Sequence, residues 1–151
     1  MKLVYVHHAE RDRSNVDVPR QEQDITIDGI AEAELLAKKV HLLGVTKIYS
    51  SNYKRCVHTA EILNKNLGLD IILEPRFNEK ETGETWKEFL DRNKAAIQDI
   101  IDNGVKEDVV LCISSGVNLS AFVSYFDGTD DAFCQALTMS PVLFKTKDEF
   151  F

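Results

Sequence analysis

The stretch Leu3-Val4-Tyr5-Val6-His7-His8-Ala9-Glu10 decides the reading of this chain. Four apolar residues, two of them β-branched and one aromatic, run into two histidines, a small residue and a carboxylate. A short apolar run of this composition reads as a buried strand. The polar residues that follow then sit just past its carboxyl end. In open α/β sheets that is the crevice where ligands bind. Perturbed, chemically useful side chains concentrate in such places, so the rest of the chain is best read by asking what it brings to His8.

Working outward, residues 11–23 are polar, contain Pro19, and read as a loop over the strand end. From Ile30 to Leu43, apolar residues at Ile30, Ala33, Leu36, Ala37 and Val40 keep one face at helical spacing, and Gly44 stops the helix. Strands are expected over 45–50, 69–73 and 109–113, with a last one near 141–145. Helices are expected over 55–67, 86–101 and from Gly116 to about 126. Residues 74–85, punctuated by Pro75 and Gly83, read as loop. Regular alternation of strand and helix implies an α/β fold, a three-layer α/β/α sandwich with a mostly parallel sheet.

The 151 residues suggest one domain spanning 1–151. At that size a fold buries roughly 68–70% of the surface its unfolded chain exposes. The formal net charge of −7 argues against nucleic acid or an anionic membrane as partner. It also means that an anionic substrate must be held by a local positive pocket. Cys56, Cys112 and Cys134 form no motif, so neither a disulfide framework nor a zinc site follows, and a reduced, cytoplasmic setting is the simplest account. The N-terminal apolar run is too short for a signal peptide, and no segment approaches the ~18 apolar residues of a membrane span.

Each strand end carries a polar cluster. His7 and His8 follow the first, Ser50 and Ser51 and then Arg55 the second, Glu79 lies after the third, and Ser114-Ser115-Gly116 follows the fourth. An imidazole, a guanidinium and a carboxyl are what phosphoryl transfer through a phosphohistidine requires. Helix N-termini beyond the strands add backbone donors for an anion.

In this arrangement the chain resembles the histidine phosphatase superfamily, the fold of phosphoglycerate mutase. The family's strand followed by Arg-His-Gly is matched by His7-His8-Ala9. Its Ser-Ser-x-x-x-Arg-x-x-x-Thr-Ala signature is matched by Ser50-Ser51-Asn52-Tyr53-Lys54-Arg55-Cys56-Val57-His58-Thr59-Ala60. Thr26 and Gly29 match a Thr-x-x-Gly helix start, and Glu79, Gly83 and Trp86 match Glu-x-x-x-Gly-x-x-Trp. Ser114-Ser115-Gly116 stands where the family has Ser-His-Gly. The resemblance implies that His8 is the phosphorylated nucleophile, that Arg55 grips the phosphoryl group, and that Glu79 is the general acid and base. It implies no metal or organic cofactor. His7 and Ser115 depart from the pattern, replacing an arginine and a histidine. Arginine is always charged and offers a planar fork of donors, whereas histidine is charged only part of the time near neutrality. Serine reaches less far and carries no charge. Losing one preorganised donor costs ~2.7–4 kcal/mol of transition-state stabilisation.

These features imply a metal-independent phosphomonoesterase working through His8 at reduced activity, acting on a phosphate ester or a phosphoprotein. The alternative is an inactive member that binds a phosphorylated ligand or a protein partner. The substrate-binding set is His7, Arg55 and Ser115, with His7 open between weak phosphate ligand and polar filler. His58, three residues past Arg55 on the same helix face, and Glu81, beside Glu79, are rival contributors. Ser115 lacks the Gly-x-Ser-x-Gly setting of a nucleophile. His41 is expected in solvent and Cys112 in the core. One loop and one helix between the third and fourth strands leave little sequence for a lid, which suits an exposed phosphate better than a mutase's closed, water-poor site. The oligomeric state is open.

Overall fold

The computed structural model describes residues 1–127 and the backbone of Val142–Lys145. Alternating burial along the strands explains the architecture. In β1 (Lys2–His7), Leu3 and Tyr5 enter one apolar core while Val4 and Val6 enter another, because successive side chains of a strand point to opposite faces. β4 (Val109–Ser114) repeats the division, with Val110 and Cys112 on the first side and Leu111 and Ile113 on the second. A sheet buried on both faces needs helices on both, and the result is a three-layer α/β/α sandwich.

Two helices cover the Val4 face. α1 (Ile27–His41) contributes Leu36 and Val40, and α2 (Lys54–Asn64) contributes Cys56, Ala60 and Leu63. The Tyr5 face is covered by α3 (Trp86–Asn103) through Ala96, Ile97 and Ile100, and by α4 (Leu119–Asp127) through Leu119 and Phe122. With β2 (Lys47–Ser50), β3 (Ile71–Leu73) and β5 (Val142–Lys145), the strand order is β3-β2-β4-β1-β5. The first four strands are mutually parallel and β5 runs antiparallel to β1.

The expected elements are present with shifted ends. α1 begins at Ile27, three residues before the periodic apolar face, because the Thr26 side chain accepts from the Gly29 amide and caps it. α2 ends at Asn64, where the Asn64 side chain bonds both the amide and the carbonyl of Leu69 and turns the chain toward β3. Residues 74–85 contain one short 3-10 turn, Pro75–Phe77. α3 starts at Trp86 under a capping box of Thr85 and Glu88. Cys112 is buried in the core and His41 is exposed, as expected. Pro141 and Cys134 lie outside the described residues. Among the described residues, no helix is long and apolar enough to cross a membrane.

Candidate active site at the carboxyl edge of the sheet

β1 and β4 lie side by side, with His7 in register with Ser114. The His8 amide donates to the Ser114 carbonyl at 3.0 Å, so the backbone stays sheet-like one residue past the strand and delivers the His8 ring beyond the edge. The turn that follows is fixed from two sides. The Ala9 amide donates to Thr59 Oγ1 at 3.0 Å, and that hydroxyl donates to the Arg55 carbonyl at 2.7 Å. On the other side, the Thr26 amide and hydroxyl donate to the carbonyl and carboxylate of Glu10. α1 thereby approaches so closely that a Cβ on Gly29 would stand 3.0 Å from the Glu10 carbonyl oxygen. The threonine and glycine spacings noted in the sequence are thus the points at which α1 and α2 grip the turn carrying His8.

His8 is buried, and its Nδ1 donates to the Ala9 carbonyl at 2.6 Å. A ring nitrogen facing a carbonyl carries the proton, so Nε2 keeps its lone pair. Arg55 Nε donates to that Nε2 at 3.2 Å. Burial, then the neighbouring His7, and further the Arg55 and Arg11 cations lower the His8 pKa to about 3. The imidazole is therefore neutral, with one defined tautomer, across the physiological range. His7 stacks on it, ring centroids 4.2 Å apart, and spends its own Nδ1 on the His8 carbonyl at 2.6 Å. Burial is the main cause that lowers the His7 pKa as well, so His7 does not stand in for a permanent cation.

Arg55 is fully buried at the start of α2, with its guanidinium over the Tyr53 ring at 4.9 Å. Its donors fan out to His8 Nε2, to the Arg20 carbonyl at 2.8 Å and to Glu79 Oε2. The other carboxylate oxygen of Glu79 accepts from the Arg20 guanidinium. Glu79 is carried on a loop that is pinned along its length. Asn78 Oδ1 accepts from the Ser51 hydroxyl at 2.7 Å and the Asn52 amide at 2.8 Å. Arg92, on α3, donates to the carbonyls of Arg76, Asn78 and Glu79. Asn118 reaches the carbonyls of Phe77 and Asn78 from the opposite side.

The fold thus gathers His7, His8, Arg55 and Glu79 at one edge. Ser115 lies one strand over from His8, 97% buried, and its hydroxyl has no hydrogen-bond partner. His58 turns elsewhere, its Nδ1 on Asp24 Oδ1 at 2.7 Å. Glu81 is exposed, and its amide is held by Glu84. Sequence reasoning missed Arg20, and also Arg11, which lies close enough to lower the His8 pKa and is itself crowded by burial and by Arg13 and Arg55. Both sit in the loop at 11–23, where charged residues without periodicity gave no signal beyond polarity. Beside Arg20 and Tyr53 opens a cleft of about 500 Å³, lined further by Asn52, Asn78, Lys80 and Thr82. Among the described residues, no group of three or more histidine, cysteine or carboxylate side chains could hold a metal ion. Burial also raises the Cys56 thiol to about 12, which leaves it protonated and no rival to His8 as nucleophile.

An unprotonated ring nitrogen beside a buried guanidinium, at the carboxyl edge of a parallel sheet, can attack an electrophilic centre carried by an anion. That defines the class as an α/β protein with a histidine and a buried guanidinium paired at the carboxyl edge of its sheet. Residues 3–84, more than half of the chain, match the family model of the histidine phosphatase superfamily (branch 1), and the chain belongs to that superfamily. The probable phosphoglycerate mutase GpmB of Cronobacter sakazakii is 33% identical over 72 residues, which are 48% of this chain and 34% of that protein. Its counterpart in Photorhabdus laumondii is 31% identical over 93 residues, 60% of this chain and 43% of the relative. The match therefore spans about a third to under half the length of these curated relatives. Among solved structures, the protein histidine phosphatase SixA complexed with tungstate superposes with a TM-score of 0.74 at 18% identity, covering 95% of this chain and 86% of that one. A phosphoserine phosphatase mutant from Entamoeba histolytica in complex with phosphoserine superposes with a TM-score of 0.79 at 15% identity, covering 97% and 91%. These likenesses establish the fold.

Proposed function

We propose that this chain is a metal-independent phosphomonoesterase that works through a phosphohistidine on His8, with turnover reduced by the residues at positions 7 and 115. The observation that carries the reading is the neutral His8 with its Nε2 lone pair held toward Arg55, one side chain from Glu79. Nε2 attacks the phosphorus of a monoester, the P–O bond to the organic group breaks, and the leaving oxygen takes a proton from the Glu79 carboxyl. Water, giving a proton to Glu79, then attacks the phosphorus, and the P–Nε2 bond breaks to release inorganic phosphate and neutral His8. Arg55 stabilises the charge on the transferring group. The organic portion extends into the cleft beside Arg20 and Tyr53. Its amide, hydroxyl and mixed-charge lining suits the polar remainder of a phosphate ester or of a phosphoprotein side chain better than an apolar one.

A pH series of p-nitrophenyl phosphate hydrolysis tests this, comparing the wild type with His8→Ala and Ser115→His. Slow turnover that disappears in His8→Ala, with a 32P label trapped on wild-type His8, is the expected result. Ser115→His is expected to raise kcat by about 10²–10³, the worth of one restored oxyanion donor. A silent wild type with activity recovered in Ser115→His would mean that the natural protein binds a phosphorylated ligand without turning it over. The unpartnered Ser115 hydroxyl, in a place where the family donates from an imidazole, is the observation that favours that second reading.

A further inference from the structure

We propose that Arg20 is the second guanidinium of the anion pocket, and that Glu79 occupies the anion's place there until a phosphate displaces it. The inference rests on the reading of this pocket as a phosphate site and adds to it a residue and an exchange of partners.

Three observations converge. First, one carboxylate is shared by two guanidiniums from separate parts of the chain, with Oε1 on Arg20 and Oε2 on Arg55. Two guanidiniums converging on separate oxygens of one anion make a place that a phosphate, with more than two acceptor oxygens, also fits. Second, every nitrogen of the Arg55 guanidinium is already engaged in this state. Its Nε is on His8, its Nη1 on the Arg20 carbonyl and its Nη2 on Glu79. A phosphoryl group that bridges the two guanidiniums takes the oxygen positions by which Glu79 now bridges them. Third, the two arginines are built for different tasks. Arg55 is fully buried and fixed. The Arg20 main chain is anchored by Arg55 Nη1, while its side chain is 53% exposed and lines the cleft where a substrate would enter. It can keep its grip as one anion replaces another.

Position 7 explains why a second cation is needed. The His7 Nδ1 is spent on the His8 carbonyl, and the ring is stacked on its neighbour. Without Arg20, the guanidinium touching His8 would be that of Arg55 alone, with Arg11 acting on it through its field, inside a chain of net charge −7. Arg20 supplies the missing charge from the loop instead of from the strand end. The exchange also releases Glu79 from both guanidiniums, as a group that is to carry a proton to the leaving oxygen requires.

The test is calorimetric titration with tungstate and with inorganic phosphate. Arg20→Ala is expected to weaken binding by about tenfold, the lower end of the worth of a hydrogen bond to a charged group, since the side chain is half exposed. Arg20→Lys is expected to restore part of the loss, having the charge without the fork. Glu79→Gln is expected to tighten anion binding several-fold while lowering turnover, a pairing that a merely structural role would not produce. Lys38→Ala, which removes an exposed positive charge from α1, serves as the control and leaves affinity unchanged. Wild-type affinity in Arg20→Ala, or no tightening in Glu79→Gln, would overturn the proposal even if phosphohistidine forms normally on His8. The expected affinity shifts without any phosphohistidine would uphold it and remove the catalytic reading. Failure of every variant to bind either anion would remove both.

Discussion

His8 is a base kept from its proton, and that has a thermodynamic consequence. In the unfolded chain its pKa is the ordinary ~6.5, while in the folded chain it is lowered to about 3. Between those values the unfolded state binds a proton that the native state does not. Stability therefore rises with pH across that window and falls on acidification, with a limiting slope of about 1.4 kcal/mol per pH unit. His7, also lowered by burial, acts with the same sign. The expected outcome is a melting temperature that drops as pH goes from 7 to 4, and a shallower drop in His8→Asn. Equal slopes in the two proteins would show that His8 is not the group withheld from protonation. The same fact shapes the rate profile under the proposed mechanism, because acid near pH 5 leaves His8 unprotonated. A loss of p-nitrophenyl phosphate hydrolysis titrating with a midpoint of 6–7 in the wild type would contradict a neutral His8. His7, His8, Arg55 and Glu79 were singled out in the sequence because they stand at or beyond strand ends and match the family's signature spacings. Arg20 was not, since its place depends on the path of a loop without repeat or spacing.

At the scale of elements, the site is a consequence of how two helices and one loop are fastened to the sheet edge. Gly29 lets α1 approach the Glu10 backbone, and an added Cβ would meet Glu10 O at 3.0 Å and Glu10 N at 3.1 Å. Both neighbours are backbone, so the helix must shift. Gly29→Ala is expected to destabilise by about 1–3 kcal/mol, as overpacking does, and to lower turnover by moving the turn that carries His8. Chemical denaturation and activity together check it; an unchanged denaturation midpoint would sink the packing explanation. Arg92 serves the other side, since its fork closes on three carbonyls of the Glu79 loop. Arg92→Lys keeps the charge but cannot span them. It is expected to cut kcat by about tenfold or more, in line with the sensitivity of catalysis to small misplacements. KM should change less, because Arg92 bonds to loop carbonyls and stands behind Glu79 instead of donating within the pocket. A KM effect as large as the kcat effect would argue that Arg92 contacts substrate. The helices themselves were readable from periodicity, and the start of α3 at Trp86 with them, but other ends were not. The start of α1 is set by the Thr26 cap, which precedes the apolar pattern, and the end of α2 by the Asn64 side chain, which no hydrophobic spacing reveals.

At the scale of the whole molecule, two fields of opposite sign act on any phosphate that approaches. The chain carries a net charge of −7, which repels a dianion at long range. The loop and α2 bring Arg11, Arg20 and Arg55 close together around His8 and Glu79, which attracts it at short range. Screening separates the two because they differ in reach. The Debye length is ~30 Å at 0.01 M salt, comparable to the molecule, and ~8 Å at 0.15 M, comparable to the pocket. Adding salt over that interval removes the distant repulsion before the local attraction. The expected outcome is that kcat/KM for a dianionic monoester first rises with ionic strength, then falls as screening reaches the arginines near 1 M, where the Debye length is ~3 Å. An uncharged-probe control fixes the sign of any general salt effect on the fold. A monotonic fall from the lowest salt would mean that the arginine cluster governs approach at all distances and that the surface carboxylates do not shield it. Arg20→Ala should deepen the initial rise, because removing an exposed guanidinium at the mouth of the cleft leaves the long-range repulsion less opposed.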